Sequence, residues 1–192
     1  MPSEPLPVVR RWLEDAEAAG IRNVDAIALA TASAEGRPSV RHVLLRGIDD
    51  DGFVFYTNHG SRKGRELADN PRAAFALYWR ELDRQITVIG DVERVSDEES
   101  DRYFASRPRE ARIGAWASKQ STELSSRREL LDRYAAFDAR YPDDSVPRPP
   151  SWGGYRVRPL AVEFWEGRPH RLHDRFRYAR DGDGWTVRRL AP

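Results

Sequence analysis

The chain has 192 residues, which favours one domain, and its 32 basic and 31 acidic residues leave a formal net charge of +1. This balance argues against a non-specific nucleic-acid binder, because that class usually carries a clear excess of basic residues. The absence of cysteine excludes a disulfide framework, a thiolate metal site and a cysteine nucleophile. All but two of the basic residues are arginines, whose planar guanidinium suits phosphate groups; the two lysines are Lys63 and Lys119.

Membrane, export and metal signals are weak throughout the sequence. The longest apolar run, residues 73–79, is far shorter than the roughly 20 residues that cross a bilayer. The N-terminus lacks the basic and apolar segments of a signal peptide, and the four histidines have no zinc spacing. We therefore expect a soluble, cytoplasmic protein without a resident metal.

The first half of the chain alternates between helical and strand patterns. Apolar residues at three- and four-residue spacing predict a helix inside the N-terminal segment 1–20, and Ser61 is a favourable cap for a second helix. Turn sequences separate strands whose apolar residues alternate. In chain order, the predicted elements are a helix at 7–20, strands at 26–32, 39–45 and 53–57, a helix at 61–70, and strands at 72–79 and 85–95.

The second half predicts three helices, a proline-rich connector and then strands. The helices cover residues 96–106, 109–118 and 122–140, the connector covers residues 142–150, and the strands cover residues 155–157, 161–165, 171–178 and 185–190. The turns between strands are too short for parallel crossovers. The predicted fold class is therefore mainly β with flanking helices (α+β), an antiparallel sheet or barrel in one domain, residues 1–192. The sequence has neither the Rossmann nor the P-loop phosphate motif.

Three local patterns contain groups that could bind anions, and each also has a simpler structural explanation. Ser61, Arg62 and Lys63 begin a predicted helix, where free backbone N–H groups favour an anion, although a capped surface helix with solvated basic residues is the commoner case. Tyr103 and Arg107 lie four apart on one predicted helix face and could hold a phosphate, although a stacked surface contact is commoner.

The third pattern is the sequence Arg171, Leu172, His173, Asp174, Arg175. In a strand, period two puts Arg171, His173 and Arg175 on one face, about 6.6 Å apart. Such a row suits a flat anionic ligand, and a solvated barrel exterior explains it equally well. Hydrolytic chemistry has weak support, since no Ser/His/Asp arrangement or pair of carboxylates stands out.

Eight short segments follow one another in an informative order. They are RHVLLR at 41–46, GFVFYTN at 52–58, SRK at 61–63, RQ at 84–85, YFASRP at 103–108, GAWASKQS at 114–121, PRPPSWGGY at 147–155, and EFW at 163–165 with RLHDR at 171–175. In this order they resemble the FMN-dependent pyridoxine (pyridoxamine) 5′-phosphate oxidases, over nearly the whole chain. The resemblance implies an FMN-binding split β-barrel that forms a homodimer, with the FMN sites at the subunit interface.

The same resemblance implies the residues that bind the cofactor. Arg41, Arg62 and Lys63 match residues on the FMN phosphate. The other matched cofactor residues, some of them from the second subunit, are Arg46, Tyr56, Thr57, Gln85, Gln120, Ser121, Trp165 and Arg175.

The implied substrate is a small phosphorylated pyridine. Tyr103 and Arg107 match the residues that hold its phosphate, Arg46 matches a lysine on the same phosphate, and Arg171 and His173 match the catalytic residues beside the ring. The implied reaction oxidises pyridoxine 5′-phosphate or pyridoxamine 5′-phosphate to pyridoxal 5′-phosphate, with O₂ reduced to H₂O₂, in vitamin B6 metabolism.

Three departures from the family pattern concern the substrate. Arg46 replaces a lysine, Ala111 replaces a serine hydroxyl, and the N-terminal arm that covers the substrate in some members is missing. Two alternatives therefore stay open. One is an FMN-dependent oxidase of the phenazine-biosynthesis type, with a non-phosphorylated substrate; the other is a non-catalytic flavin-binding split-barrel protein.

Overall fold

The computed structural model describes residues 2–192, which form five α-helices and eight β-strands. The helices are α1 (Pro5–Ala18), α2 (Arg62–Asp69), α3 (Asp97–Ala105), α4 (Arg109–Ala117) and α5 (Arg127–Arg140). The strands are β1 (Ala26–Ala32), β2 (Pro38–Ile48), β3 (Phe53–Asn58), β4 (Arg72–Trp79), β5 (Arg84–Arg94), β6 (Trp152–Glu166), β7 (Asp174–Asp181) and β8 (Gly184–Arg189). Within residues 2–192, no helix is long and apolar enough to cross a membrane.

Six strands close into an antiparallel barrel. They pair in the order β3-β2-β1-β4-β5-β6, and β6 pairs again with β3, which closes the ring. The hairpin of β7 and β8 continues the sheet from the far end of β6. This architecture confirms the predicted class, an antiparallel mainly-β fold with flanking helices. Closure of the barrel also leaves its strands few unpaired edges.

Alternating side chains fill the barrel and the space beneath α1. On β5, Ile86, Val88 and Val92 are buried, as the period-two pattern predicts. On α1, Val9 and Trp12 face the same core, and the Trp12 ring meets the Phe164 ring edge-on at 5.1 Å. One connected cluster of buried side chains therefore runs from α1 to β7.

The predicted strand at residues 171–178 is wrong at its beginning. β7 begins only at Asp174, and Pro169–Arg171 form a 3₁₀ turn in which His170 and Arg171 have φ of 60° and 64°. Proline supplies no backbone N–H for a sheet ladder, so Pro169 favours the turn. Arg171, His173 and Arg175 therefore do not form a row on one strand face, and the spacing of about 6.6 Å does not apply to them.

Two other differences go beyond the few terminal residues by which most predicted bounds differ from those observed. The strands predicted at residues 155–157 and 161–165 are parts of the single strand β6, which continues past a register shift opposite Ile89 and Gly90. The helix predicted over residues 122–140 begins at Arg127, because Ser126 caps it by accepting from the Glu129 N–H. Residues 142–150 contain no helix or strand, as the proline content predicts.

Candidate active site

Two adjoining cavities collect most of the predicted site residues. Their volumes are about 460 and 420 Å³, and both are lined by His42, Lys63 and Gln120. The predicted residues on the larger cavity are Arg46, Tyr56, Thr57, Lys63, Tyr103, Arg107 and Gln120. Those on the smaller cavity are Arg41, Arg62, Lys63, Gln120 and Ser121.

The smaller cavity has two arginines that share one buried carboxylate. Arg62 donates to Oε1 of Glu66 at 2.8 Å, and Arg41 lies 3.3 Å from Oε2 of the same group. Ser61 caps α2 by accepting from the Gly64 N–H at 3.3 Å, so α2 begins beside the cavity. Burial would raise the Glu66 pKa, but hydrogen bonds from Ser39, Thr31 and Arg62 outweigh it and lower the pKa to about 2.

Lys63 is a buried cation that contacts only neutral oxygens. It is 6% exposed, and Nζ donates to Gln120 Oε1 at 2.8 Å, Thr57 Oγ1 at 3.1 Å and Ser61 Oγ at 3.4 Å. Burial, and then the charge of Arg41, lower the pKa of Lys63 to about 8. Within residues 2–192 the ammonium has no carboxylate partner, so an anion in either cavity would supply the missing charge.

Parallel aromatic rings line the larger cavity. The Tyr56 ring stacks on Tyr103 at 4.0 Å and on Trp152 at 5.4 Å. Burial, and then the nearby charge of Glu99, raise the Tyr56 pKa to about 12, so its phenol keeps its proton at neutral pH. The lining of this cavity therefore includes several aromatic rings, which suit a planar heteroaromatic ligand.

Two arginines line the larger cavity, and they differ in whether their guanidinium groups have hydrogen-bond partners. The Arg107 guanidinium lies 4.9 Å from the centre of the Trp152 ring, and its Nη1 is buried without a hydrogen-bond partner among residues 2–192. Burial lowers the Arg107 pKa from its usual value. Arg46, in contrast, donates to Asp25 at 2.7 Å. Ala111 lines the same cavity and brings a methyl group where a serine would bring a hydroxyl.

Three of the other predicted residues lie on the outer face of the barrel. Gln85 is opposite Trp165, and Trp165 is opposite Arg175, so the three side chains form a row across β5, β6 and β7. Arg175 pairs with Glu163 at 2.7 Å. Within residues 2–192, neither cavity is lined by any of the five remaining predicted residues, which are Gln85, Trp165, Arg171, His173 and Arg175.

Arg171 and His173 lie in the turn that precedes β7. Nδ1 of His173 accepts from the Arg168 N–H at 3.1 Å, and the His173 ring is 4.7 Å from the Trp165 ring. Since Nδ1 is an acceptor, the neutral imidazole carries its proton on Nε2. Arg171 is exposed in the left-handed backbone region, which non-glycine residues adopt mainly where the surroundings hold them.

Sequence reasoning missed four residues of this site. His42 and Asn58 line the larger cavity, Trp152 forms part of its wall, and Glu66 links the two arginines of the smaller one. Trp152 belongs to a segment already matched to the family, and Glu66 lies one helical turn after Arg62, so both had a signal in the sequence. His42 and Asn58 lie in the matched segments 41–46 and 52–58, so they had the same signal as Trp152.

The outer face of the barrel between the cavity residues and the row of Gln85, Trp165 and Arg175 is apolar and accessible. Val40, Tyr78 and Ile89 are 69%, 57% and 47% exposed. Along β1 and β4, buried side chains alternate with less buried ones that point outwards. The outward side chains between Val40, Tyr78 and Ile89 are small, and strand register brings them together. These residues, which we name the outer apolar face, are Ala28, Ala30, Val40, Ala74, Ala76, Tyr78 and Ile89. Contiguous exposed apolar patches are typical of interaction surfaces.

Sequence comparison supplies the family. The family model described as pyridoxamine 5′-phosphate oxidase matches residues 13–141. This chain belongs to the pyridoxamine 5′-phosphate oxidase family. A second model, described as the pyridoxine 5′-phosphate oxidase C-terminal dimerisation region, matches residues 152–192. The pyridoxamine 5′-phosphate oxidase family is a family of oxidoreductases, and the predicted resemblance is confirmed.

Relatives and solved structures agree on the family and its fold. Pyridoxine/pyridoxamine 5′-phosphate oxidases of Rubrobacter xylanophilus and Burkholderia multivorans are 55% and 56% identical, covering 98% of this chain and 87% and 89% of theirs. PhzG from Burkholderia lata, solved with tetrahydrophenazine-1-carboxylic acid, is 41% identical with a TM-score of 0.95, covering 100% and 94%. A pyridoxamine 5′-phosphate oxidase-related, FMN-binding protein of Nostoc punctiforme shares the fold, at 20% identity, a TM-score of 0.79 and full coverage of both chains.

Proposed function

We propose that this chain is an FMN-dependent oxidase that converts pyridoxine 5′-phosphate or pyridoxamine 5′-phosphate to pyridoxal 5′-phosphate and reduces O₂ to H₂O₂. The observation that carries the proposal is that each of two adjoining cavities has its own cluster of positively charged side chains. Arg41, Arg62 and Lys63 surround the smaller cavity, and Arg46 and Arg107 face the larger one. A phosphorylated cofactor and a phosphorylated substrate, each with about −1.5 to −2 charge, need such a pair of clusters.

The smaller cavity fits the phosphate end of FMN. Three cations converge there, and the buried Lys63 ammonium has only neutral partners, so a dianion would compensate a charge that the protein leaves open. Gln120 and Ser121 would complete the site with polar atoms. Bound flavin supplies the two-electron acceptor and the reaction with oxygen, and the protein supplies binding and orientation.

The larger cavity fits the phosphorylated pyridine. The unpartnered Nη1 of Arg107 and the hydroxyl of Tyr103 are the groups we assign to the substrate phosphate. The rings of Tyr56 and Trp152 would make one side of the cavity less polar, which would strengthen the charge-assisted hydrogen bonds inside it. Arg46 lines the same cavity while it pairs with Asp25, so part of its charge is already compensated.

The outer row of Gln85, Trp165 and Arg175, together with Arg171 and His173 of the turn before β7, would enter the site from a second copy of the chain. Gln85, Trp165, Arg171, His173 and Arg175 do not meet the cavities of their own chain, and the C-terminal region that carries four of them matches a dimerisation region. In that arrangement His173 offers a proton-bearing Nε2 to the substrate, because Nδ1 is engaged with the Arg168 N–H. Arg171 would bring positive charge to the same ring.

The outer apolar face is the surface through which we propose that the homodimer forms. It lies between the cavity residue His42 on β2 and the row of Gln85 and Trp165 on β5 and β6. A second copy placed over this face would cover Tyr78 and Ile89 and bring the two groups of site residues near each other. We also propose that residues 1–192 form one domain, supported by the single core cluster. The cytoplasmic location stays a prediction.

A two-step experiment tests the proposed function. First, the purified protein is titrated with FMN and followed by visible absorbance and flavin fluorescence, and saturable uptake is expected. Second, the loaded protein is given pyridoxine 5′-phosphate, pyridoxamine 5′-phosphate or unphosphorylated pyridoxine in air, and aldehyde and peroxide are measured. We expect turnover with the phosphorylated compounds and little with pyridoxine. No uptake of FMN contradicts the proposal, and uptake without turnover of any substrate favours a non-catalytic flavin-binding protein.

A second candidate is an FMN-dependent oxidase of the phenazine-biosynthesis type. Two observations favour it: the similarity to PhzG along the whole chain, and the pairing of Arg46 with Asp25, which reduces the positive charge free for a substrate phosphate. Peroxide production with a reduced phenazine carboxylate, together with no turnover of the phosphorylated pyridines, would establish this candidate in place of the first.

A further inference from the structure

Glu66 is a buried carboxylate behind the smaller cavity, and the sequence-based assignments give it no role. It is 6% exposed and does not line the cavity, yet it touches both arginines that do. Oε1 accepts from Arg62 at 2.8 Å. Oε2 accepts from Thr31 at 2.5 Å, from Ser39 at 2.6 Å and from Arg41 at 3.3 Å. The carboxylate therefore joins α2 to β1 and β2 beneath the proposed phosphate site.

The two hydroxyl groups connect Glu66 to Arg41 a second time. Arg41 Nη1 donates to Thr31 Oγ1 at 2.6 Å, and Nη2 donates to Ser39 Oγ. An ionised carboxylate only accepts hydrogen bonds, so both hydroxyls must donate to Glu66 and turn their lone pairs towards Arg41. The charge on Glu66 therefore fixes the direction of the hydroxyls as well as the position of the guanidinium.

The carboxylate also sets the charge that faces the cavity. Arg41, Arg62 and Lys63 are three cations, and Glu66 balances one of them, which leaves two positive charges for a ligand. A phosphate monoester carries about −1.5 to −2 charge at neutral pH, so the remaining charge matches it.

We propose that Glu66 is a positioning residue for the phosphate-binding cations, holding Arg41 and Arg62 in the geometry that selects a phosphorylated flavin over an unphosphorylated one. This inference rests on the proposed function, because it takes FMN as the ligand of the smaller cavity. Glutamine in place of Glu66 keeps the shape but turns one acceptor into a donor. Its NH₂ group then faces either Arg62 or the two hydroxyls, so one arginine loses its support.

The test compares the dissociation constants of FMN and riboflavin for the flavin-free protein, measured by quenching of flavin fluorescence. For Glu66→Gln we expect FMN to bind about 10- to 100-fold more weakly, the range for a lost charge-assisted hydrogen bond. Riboflavin, which has no phosphate, should bind with its wild-type dissociation constant. Asp69→Asn, which removes an exposed carboxylate of the same helix, is the matched control and should bind both flavins as the wild type does.

A second variant keeps the inference testable if Glu66→Gln does not fold. Thr31→Val keeps Glu66 and removes one of the hydroxyls that hold Arg41, at a buried position that does not line the cavity. We expect a smaller loss of FMN affinity, about 3- to 10-fold, again without a change for riboflavin.

The outcomes separate the two proposals. Equal weakening of FMN and riboflavin, unchanged FMN binding, or tighter FMN binding in Glu66→Gln would each overturn the role of Glu66. A wild-type protein that binds FMN no better than riboflavin would instead contradict the phosphate site, and the proposed function with it.

Discussion

Lys63 illustrates how a single side chain can be placed for binding at the expense of stability. Its ammonium is buried, its pKa is lowered to about 8, and its partners are neutral oxygens of Thr57, Ser61 and Gln120. Burying an unpaired charge opposes folding, so such a group contributes little to the stability of the flavin-free protein. We infer that its main contribution is to a bound anion.

We expect Lys63→Met to separate these two contributions. Methionine fills a similar volume without charge, so the free energy of unfolding of the flavin-free protein should change by less than about 1 kcal/mol or increase. FMN should bind at least about tenfold more weakly. Urea denaturation and flavin titration measure the two effects. Lys119→Met, at the exposed second lysine, is the control, and a large loss of stability in Lys63→Met would contradict this account.

Arg107 gives the corresponding prediction for the substrate. Its guanidinium is oriented by the Trp152 ring at 4.9 Å and has a buried Nη1 without a partner, so it is free to bind an anion. Arg107→Ala should raise the KM for pyridoxine 5′-phosphate about 10- to 100-fold and leave FMN bound. Steady-state kinetics and the flavin spectrum measure both. Arg102→Ala, at an exposed position of α3, is the control, and loss of FMN from Arg107→Ala would place Arg107 in the cofactor site instead.

Residue-scale prediction from sequence was limited by what a motif records. The family segments located Arg41, Lys63 and Arg107, because those residues recur at fixed places in matched segments. Glu66 and Asp25 were not found, since their importance comes from partners on other strands and helices. The pair between Asp25 and Arg46 crosses from the start of β1 to β2, which a linear motif does not show.

At the scale of elements, the contact of α2 with the barrel depends on one ionised group. Glu66 connects α2 to Thr31 on β1 and Ser39 on β2, and its pKa is about 2 against 4.5 in a free side chain. A lowered pKa stabilises the folded state above pH 4.5, and that stabilisation is lost as the pH falls towards 2.

We therefore expect the pH dependence of stability to change in Glu66→Gln. Between pH 6 and about pH 2, the free energy of unfolding of the wild type should fall by up to about 3 kcal/mol more than that of the variant. Urea denaturation of the flavin-free proteins at a series of pH values measures this difference. Asp69→Asn should keep the wild-type profile, and parallel profiles for wild type and Glu66→Gln would contradict the assignment.

Elements were predictable where the sequence pattern was local. A run of apolar residues located β4, alternating residues located β5, and Ser61 marked the beginning of α2. The error at residues 171–173 has a physical origin, because the turn there depends on Pro169 and on left-handed backbone at His170 and Arg171. Two successive non-glycine residues in this region are uncommon, so the folded surroundings must specify the turn.

At the scale of the whole molecule, a dimer formed through the outer apolar face would link assembly to activity. An exposed patch centred on alanines, with Tyr78 and Ile89 around them, lets two sheets approach closely. The antiparallel topology was predictable from short turns, whereas this face was not, because it appears only when strand register brings β1, β2, β4 and β5 together.

Ile89→Asp should disrupt the proposed dimer. A buried unpaired carboxylate at an interface is strongly unfavourable, so the variant should sediment as a monomer and lose most of its oxidase activity. Analytical ultracentrifugation and the peroxide assay measure both. Leu131→Asp, at a 50% exposed position of α5, is the matched control. A dimeric, active Ile89→Asp would exclude this face as the interface.

The length of β6 bears on which subunit supplies the residues of each proposed active site. Trp152, at one end, lines the cavity of its own chain, and Trp165, about 45 Å along an extended strand, belongs to the outer row offered to the second copy. In a mixed dimer of Lys63→Met and His173→Ala chains, one of the two sites would therefore receive both defects and the other neither. Co-expression of these two variants, assayed at an FMN concentration that leaves Lys63→Met unloaded, should restore up to about half of the wild-type activity per mixed dimer. No recovery in an isolated mixed dimer would show that each subunit works with residues of its own.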